Sequence, residues 1–242
     1  MQGFIIYPLN LCIFTWLKDN AIVRIMKNRI IMTVAALLLV FTLAQAPVYA
    51  QPAGFAATAN TAVLQQSLAK ATAATQSISS DFSQVKHMKM LNDKVSSKGK
   101  FYYKKDNRIR IEYTTPFKYL VVMNGSSVTV KDDQKTNRIS TRSSKAMQSA
   151  NRIMMDCMTG NVYNNKDFSV KTFESKSQYL LQLSPLTASM KGMFSRIDVF
   201  IEKSDYSVTK LQLNENGGDY TEMSFLNKKK NVSLDDALFS VR

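Results

Sequence analysis

The sequence predicts one α+β domain built on a strongly curved, barrel-like antiparallel sheet of about eleven strands. Three observations support this fold class. Apolar and polar residues alternate in short runs over most of the chain, turn residues separate these runs about every 8 to 12 residues, and only two segments place apolar residues at helical spacing. With 242 residues, 45% of them apolar, the chain is able to bury a hydrophobic core.

A secretory signal peptide is predicted ahead of the domain. Lys27 and Arg29 precede an apolar run at residues 30–43, and small residues follow as far as Ala50. At about 1.5 Å per residue this run spans about 21 Å, less than a hydrocarbon core of about 30 Å. Cleavage is therefore favoured over anchoring, and we expect residues 26–50 to be removed by a cut after about Ala50.

Residues 1–25 stand before this leader, and Met26 lies where a signal peptide would normally begin. We interpret them as an upstream extension from a misplaced start; the alternative is a genuine second apolar segment. Residues 51–242 remain as a single domain. The chain carries 32 Lys and Arg against 18 Asp and Glu, a net charge of +14. Such a charge suits anionic membranes, acidic partners or nucleic acid, and export argues against nucleic acid.

The first element of the domain is an amphipathic helix predicted over residues 59–77, after a loose lead-in at 51–58. Asn60 is a suitable N-cap. Apolar residues then recur at helical spacing: Leu64, Leu68, Ala71 and Ile78.

The apolar period next changes to two, which indicates strands. Six are predicted before the middle of the domain, at 80–91, 95–104, 108–114, 118–124, 127–132 and 136–140. Five more follow, at 167–174, 177–184, 194–202, 207–214 and 219–227, with a short closing piece at 234–241. The connections are short and rich in Asn, Asp, Gly and Pro, so neighbouring strands are expected to pair as antiparallel hairpins.

A helix at 143–160 interrupts the strands. Serines cap its start, Gly160 ends it, and its apolar stripe contains Met147, Ala150, Met154 and Met158, flanked by Ile153 and Cys157. Methionine is flexible and suits surfaces that accept variable apolar ligands. Two interpretations remain open at this point: ordinary packing of a helix on a sheet, or a lid over the concave face of the sheet.

The sequence offers little for catalysis. His87 is the only histidine, and no second histidine completes a metal set. Cys157 lies in an apolar stripe and is better explained as a small buried side chain than as a nucleophile. Glycine-rich phosphate loops are missing. We therefore expect a protein that is not an enzyme and that needs no metal or cofactor; a lipid hydrolase would require a Ser or Cys nucleophile with a base.

Several short segments, taken in their order along the chain, resemble a known family. They are DFSQ at 81–84, GKFYYKKDNRIRIEYTTP at 99–116, Asn124-Gly125, Leu183-Ser184-Pro185 and Ala237-Leu238-Phe239. In this order, after a signal peptide, they resemble the periplasmic outer-membrane lipoprotein carrier family, LolA. The resemblance implies an α+β fold in which an unclosed antiparallel β-barrel of about eleven strands carries an α-helical lid.

The resemblance also implies a function. A periplasmic carrier of this family shelters the acyl chains of triacylated lipoproteins. It receives them from an inner-membrane lipoprotein-releasing transporter and delivers them to an outer-membrane acceptor, and we expect it to act as a monomer without nucleic acid. The alternative is a periplasmic sensor of the same fold that binds an amphiphile or lipoprotein and acts through a protein interface; a second domain would favour it.

The expected lipid-binding cavity follows by position. Ile109 and Ile111 should face it together with Phe101 and Tyr103. We also expect contributions from the next strand and from the inserted helix: Val121, Met123, Met147, Ile153, Met154 and Met158.

The resemblance also implies a residue that latches the lid helix, and this chain departs from the family pattern at that position. Where the family has an Arg that hydrogen-bonds the lid helix, this chain has Lys105, followed by Asp106 instead of Pro. Lysine does not reproduce the multidentate fork of arginine. The latch is therefore expected at Lys105 or, as a substitute, at Arg108.

Overall fold

A computed structural model describes residues 51–143 and 145–241. The predicted upstream extension and signal peptide lie outside the described residues. No helix in the described ranges is long and apolar enough to cross a membrane.

Twelve strands form one antiparallel sheet: β1 (Ala56–Ala57), β2 (Ser77–Met88), β3 (Asp93–Lys104), β4 (Arg108–Thr115), β5 (Tyr119–Asn124), β6 (Ser127–Lys131), β7 (Thr136–Ser140), β8 (Phe168–Glu174), β9 (Gln178–Pro185), β10 (Arg196–Glu202), β11 (Val208–Asn214) and β12 (Tyr220–Lys230). Their spatial order is β1-β8-β9-β10-β11-β12-β2-β3-β4-β5-β6-β7. β1 and β7 are the two edges and do not pair with each other, so the barrel is unclosed. The predicted fold class is confirmed.

In the described part of the chain, three α-helices accompany the sheet: α1 (Thr61–Ala74), α2 (Lys145–Thr159) and α3 (Ala188–Met193). α1 confirms the first predicted helix with shorter bounds. The side chain of Asn60 caps it by accepting a hydrogen bond from the backbone N–H of Val63 at 3.1 Å, and Leu64 and Leu68 are buried. Ile78, assigned to the helix by its spacing, belongs instead to β2. α2 confirms the inserted helix.

All eleven predicted strands are present, although β2 lies three residues earlier than its predicted range of 80–91. The short helix α3 and the strand β1 were not predicted. β1 lies inside the expected loose lead-in, where two alanines carry no alternation to detect; it exists through pairing with Glu174 and Phe173 of β8. The closing piece forms a 3₁₀ turn at Asp236–Phe239, which buries Phe239.

The hydrophobic core lies on one face of the sheet, beneath α1 and α2. Strand alternation directs one set of side chains to this face. In β4, for example, Ile109 and Ile111 are buried, whereas Arg108 and Arg110 lie on the opposite face. β9 to β11 contribute Leu181, Leu183, Ile197, Val199, Ile201 and Leu211 to the same core.

Candidate functional site

An apolar cavity of about 180 Å³ lies between α2 and the concave face of the sheet. Asn151 supplies the one polar side chain among the residues that line it. The other lining residues are Met123, Val128, Ile153, Met154, Cys157, Phe194, Ile197, Leu211 and Leu213.

The walls of the cavity come from distant parts of the chain. Met123 of β5 is in register with Val128 of β6, so both point to the same face. On the other side of the cavity, Ile197 of β10 is in register with Leu213 of β11. We call the part of the sheet that contains β5 and β6 and the part that contains β10 and β11 its two limbs. α2 closes the space between the limbs. Its lining side chains lie about one helical turn apart and therefore share one face of the helix: Asn151, Ile153, Met154 and Cys157.

Three of the predicted cavity residues, Met123, Ile153 and Met154, line this space. Four others, Phe101, Tyr103, Ile109 and Ile111, are buried in the adjacent core and do not line it. Val121 is half-buried and packs against the same core. Phe101 and Met158 also border a much smaller crevice near Lys228. The side chain of Met147 lies outside the described part of the chain.

Sequence reasoning did not assign the other lining residues to the cavity: Val128, Asn151, Cys157, Phe194, Ile197, Leu211 and Leu213. Alternation in β10 and β11 identifies Ile197, Leu211 and Leu213 as inward-facing. It does not indicate which inward-facing residues meet a helix and which meet other strands. That choice depends on where α2 crosses the sheet.

The structure describes the surroundings of the two residues of the expected latch, Lys105 and Arg108. Arg108 lies on the face of β4 opposite to the core and therefore faces away from α2. Its Nη1 donates to Asp236 Oδ1 at 2.7 Å, and its Nε donates to the backbone oxygen of Lys105 at 3.3 Å. Lys105 itself is exposed in the β3–β4 turn. Arg108 thus contacts the C-terminal 3₁₀ turn, and a latch between Lys105 or Arg108 and the lid helix stays a prediction.

Polar contacts hold the last turn of α2. The hydroxyl of Thr72 in α1 donates to the backbone oxygen of Thr159. Beyond the helix, Asn165 Nδ2 donates to Asp156 Oδ2 at 2.7 Å. Burial raises the pKa of Asp156, and the hydrogen bond from Asn165 partly offsets this effect.

A described polar contact also joins the first half of α2 to the sheet. Asn151 Nδ2 donates to the backbone oxygen of Gly125 in the β5–β6 turn at 3.4 Å. Among residues 148, 149, 151 and 152, whose side chains the structure describes, it is the polar contact with the sheet. A bond of this length is near the limit for a hydrogen bond.

Cys157 and His87 are placed in very different settings. Cys157 is almost fully buried in the cavity wall, and burial raises the pKa of its thiol, which suppresses the reactive thiolate. His87 stacks on Tyr220, with 4.2 Å between the ring centroids, at the end of β2. Within the described ranges there is no group of three or more potential metal ligands from His, Cys, Asp and Glu.

Comparison with known proteins finds several similar chains. An outer-membrane lipoprotein carrier protein from Methylococcus capsulatus is 24% identical over 187 residues, which cover 77% of this chain and 86% of that protein. Among solved structures, a LolA superfamily protein from Nitrosomonas europaea is similar with 12% identity and a TM-score of 0.41, covering 73% of this chain and 97% of that chain. An uncharacterized conserved protein from Thermus thermophilus is similar with 9% identity and a TM-score of 0.45, covering 74% of this chain and 94% of that chain.

A match to a protein-family model identifies the family of this chain. The model "Outer membrane lipoprotein carrier protein LolA" matches residues 73–242. This range contains nearly all of the sheet, both limbs of the cavity and the inserted helix. The resemblance inferred from the motifs is confirmed, and the chain belongs to the LolA family of outer membrane lipoprotein carrier proteins.

Proposed function

We propose that this protein is a periplasmic carrier that shelters the acyl chains of triacylated lipoproteins beneath α2 and takes them from the inner to the outer membrane. The observation that carries the proposal is the cavity under α2, whose lining is apolar except for Asn151. Membership of the lipoprotein carrier family supports the same cargo.

The cargo requires such a shelter. Three acyl chains of about 15 methylenes each, at about 0.8 kcal/mol per methylene, cost on the order of 35 kcal/mol to expose fully to water. A protein that crosses an aqueous compartment with this cargo has to keep it against an apolar surface.

The size of the cavity implies movement. Its volume of about 180 Å³ is close to that of an engineered cavity of about 150 Å³ that holds a single benzene molecule. Three acyl chains need far more space. They enter only when α2 moves away from the concave face and the sheet limbs exchange their contacts with the helix for contacts with the cargo.

The contacts of α2 suggest how it moves. Its last turn is tied to Thr72 and Asn165, whereas its first half is tied to the sheet through the long Asn151–Gly125 bond. We infer that α2 opens at its N-terminal half and pivots about its C-terminal end. Met154 in the cavity wall adapts to cargo of variable shape, since methionine is flexible and polarizable.

Because no ATP drives the transfer of cargo in the periplasm, the affinity for the cargo must increase from the donor to the carrier and from the carrier to the acceptor. An inner-membrane lipoprotein-releasing transporter is the proposed donor, and an outer-membrane acceptor is the proposed recipient. Cargo then moves along the chain of partners because each binds it more favourably than the one before. A loosely packed, methionine-containing wall keeps the carrier's own affinity moderate.

The test is co-purification of cargo. The full chain is expressed in a lipoprotein-producing Gram-negative bacterium, the periplasmic form is purified, and bound lipoproteins and its N terminus are identified by mass spectrometry. We expect triacylated lipoproteins and an N terminus near Gln51. Met154→Glu, which places a charge in the cavity wall, should reduce bound lipoprotein about tenfold or more.

Met193→Glu is the matched control, because Met193 is exposed on α3 and does not line the cavity. It should retain cargo like the parent. Equal retention by Met154→Glu, or a parent that carries no lipoprotein, would contradict the proposed function.

A further inference from the structure

The β2–β3 hairpin forms an arm, residues 86–98, that extends beyond β4. On one side, β2 pairs with β12 as far as His87. On the other side, the pairing of β3 with β4 begins only at Lys98. Residues 93–97 of β3 therefore have no neighbour on the β4 side, a length of about 16 Å at about 3.3 Å per residue.

The turn at the end of the arm exposes large apolar side chains. Met90 is 95% exposed and Leu91 is 67% exposed, and Val95 behind them is 46% exposed. Hairpin turns are usually built from Gly, Asn, Asp, Ser or Pro, which suit both the backbone and water. An exposed apolar cluster with a polar rim marks an interaction site.

Lysines surround this apolar tip. Residues 86–98 contain Lys86, Lys89, Lys94 and Lys98 against one acidic residue, Asp93. Lys86 pairs with Glu215 at 3.1 Å. Within the described ranges, Lys89, Lys94 and Lys98 make no ion pair, so their ammonium groups are available to an external anion.

The arm is held in place by the neighbouring hairpin. The ring of His87 stacks on Tyr220, and the backbone N–H of Lys89 donates to Asp219 Oδ1 at 3.0 Å. A depression beside the tip is lined in part by His87, Lys89, Lys94 and Tyr220. The apolar tip and the cationic groups are therefore presented together, which lowers the entropy lost on binding.

We propose that the arm docks the protein onto an anionic phospholipid bilayer. Met90 and Leu91 enter the boundary between headgroups and acyl chains, and Lys89 and Lys94 contact lipid phosphates. A narrow two-stranded projection fits a fluid bilayer better than a protein partner, since specific protein interfaces bury about 800 Å² on each side.

Docking of the arm also orients the cavity. Leu213 in the cavity wall is in register with Thr221 of β12, which is in register with Lys86 at the base of the arm. Two strand spacings amount to about 10 Å. One rim of the cavity therefore lies beside the docked arm, near the bilayer in which acyl chains reside.

Vesicle binding tests the proposal without any lipoprotein, so its outcome is separate from that of the carrier function. The periplasmic form of the full chain, stripped of lipid, is sedimented with vesicles of equal parts phosphatidylethanolamine and phosphatidylglycerol, or of phosphatidylcholine alone. We expect binding to the anionic vesicles that weakens with added salt. Met90→Asp with Leu91→Asp, and separately Lys89→Glu with Lys94→Glu, should each reduce partitioning about tenfold.

Controls of the same chemistry lie elsewhere on the surface. Leu186→Asp and Lys166→Glu alter exposed residues far from the arm in sequence and should leave binding unchanged. All variants change exposed positions, and their thermal unfolding is compared with the parent to verify the fold. Equal binding by either arm variant, equal binding to phosphatidylcholine, or no binding by the parent would each overturn the proposal. A parent that binds neither kind of vesicle would leave an acidic protein surface as the partner of the arm.

Discussion

Asn151 in α2 donates a hydrogen bond to the backbone oxygen of Gly125 at 3.4 Å, and this contact ties the first half of the inserted helix to the β5–β6 turn. The opposite end of α2 has shorter ties to Asn165 and to α1. Among the described residues of the helix, the polar contacts at the C-terminal end are therefore shorter than the contact of Asn151. This asymmetry gives the inferred opening of the cavity a direction.

Removing the weak tie should favour opening. We expect Asn151→Ala to increase the rate at which a maleimide labels Cys157 by several fold, because the buried thiol reacts only when α2 lifts. The free energy of unfolding should fall by less than about 1 kcal/mol, since the lost hydrogen bond is long. Peptide mapping assigns the labelled cysteine. Gln148→Ala, an exposed change on the same helix, is the control, and an unchanged rate in Asn151→Ala would refute the opening direction.

Removing the hydrogen bond between Asn165 and Asp156 at the C-terminal end of α2 should instead destabilise the protein. Asn165 is buried, donates to Asp156 and accepts from the backbone N–H of Asp167 at 2.9 Å. Asn165→Ala leaves these groups unpaired and should lower the free energy of unfolding by about 2 to 3 kcal/mol in urea denaturation. Asn164→Ala changes the exposed neighbour and should cost less than about 1 kcal/mol. Equal effects of the two variants would contradict the assignment of a firm C-terminal pivot.

Gly99, which begins one of the family motifs, has a structural explanation. A Cβ at this position would lie 1.9 Å from the backbone oxygen of Glu112 and 2.8 Å from the ring of Phe82. Backbone atoms cannot yield as a flexible side chain can. We expect Gly99→Ala to lower the free energy of unfolding by about 3 kcal/mol or more. Gly192→Ala, with open space around its Cβ in α3, should be neutral or stabilising by up to about 1 kcal/mol.

The C-terminal turn should respond to acid. The hydrogen bond from Lys104 and the nearby Arg108 hold the pKa of Asp236 below its usual range. A lowered pKa means that the contribution of this carboxylate is complete above the usual value of about 3.9 and is lost as pH falls through the lowered value. We expect the NMR amide shifts of Ala237 to Phe239 to move toward unfolded values in that acidic range.

Asp236→Asn should show the altered shifts already at neutral pH and should lose the acid-dependent change. Asp133→Asn, an exposed change in the β6–β7 turn, is the matched control and should titrate like the parent. A titration midpoint for Asp236 at or above about 3.9 would contradict the ion pairs assigned to it.

Local patterns predicted most of the fold. Asn60 caps α1 as its residue type indicates, and β7 occupies the predicted residues 136–140. Both features depend on nearby residues. β1 was missed because its two alanines become a strand only by pairing with β8, more than a hundred residues later in the chain.

The site was predicted less completely because it depends on contacts between distant segments. Alternation placed Ile109 and Met123 on the same inner face, yet Ile109 is fully buried in the core and Met123 lines the cavity. The difference is set by where α2 crosses the sheet. The same alternation places Arg108 opposite to Ile109, so the position of Arg108 on the outer face could have been inferred from the sequence of β4.

Photo-cross-linking tests most directly whether acyl chains occupy the cavity beneath α2. A photoreactive amino acid replaces Met154 in the cavity wall or, as the control, exposed Leu226, whose neighbour Phe225 points into the core. Irradiation of cells that produce lipoproteins should give adducts with their acyl chains at position 154 and few or none at position 226. Absence of such adducts at 154, or equal yields at both positions, would contradict the carrier mechanism.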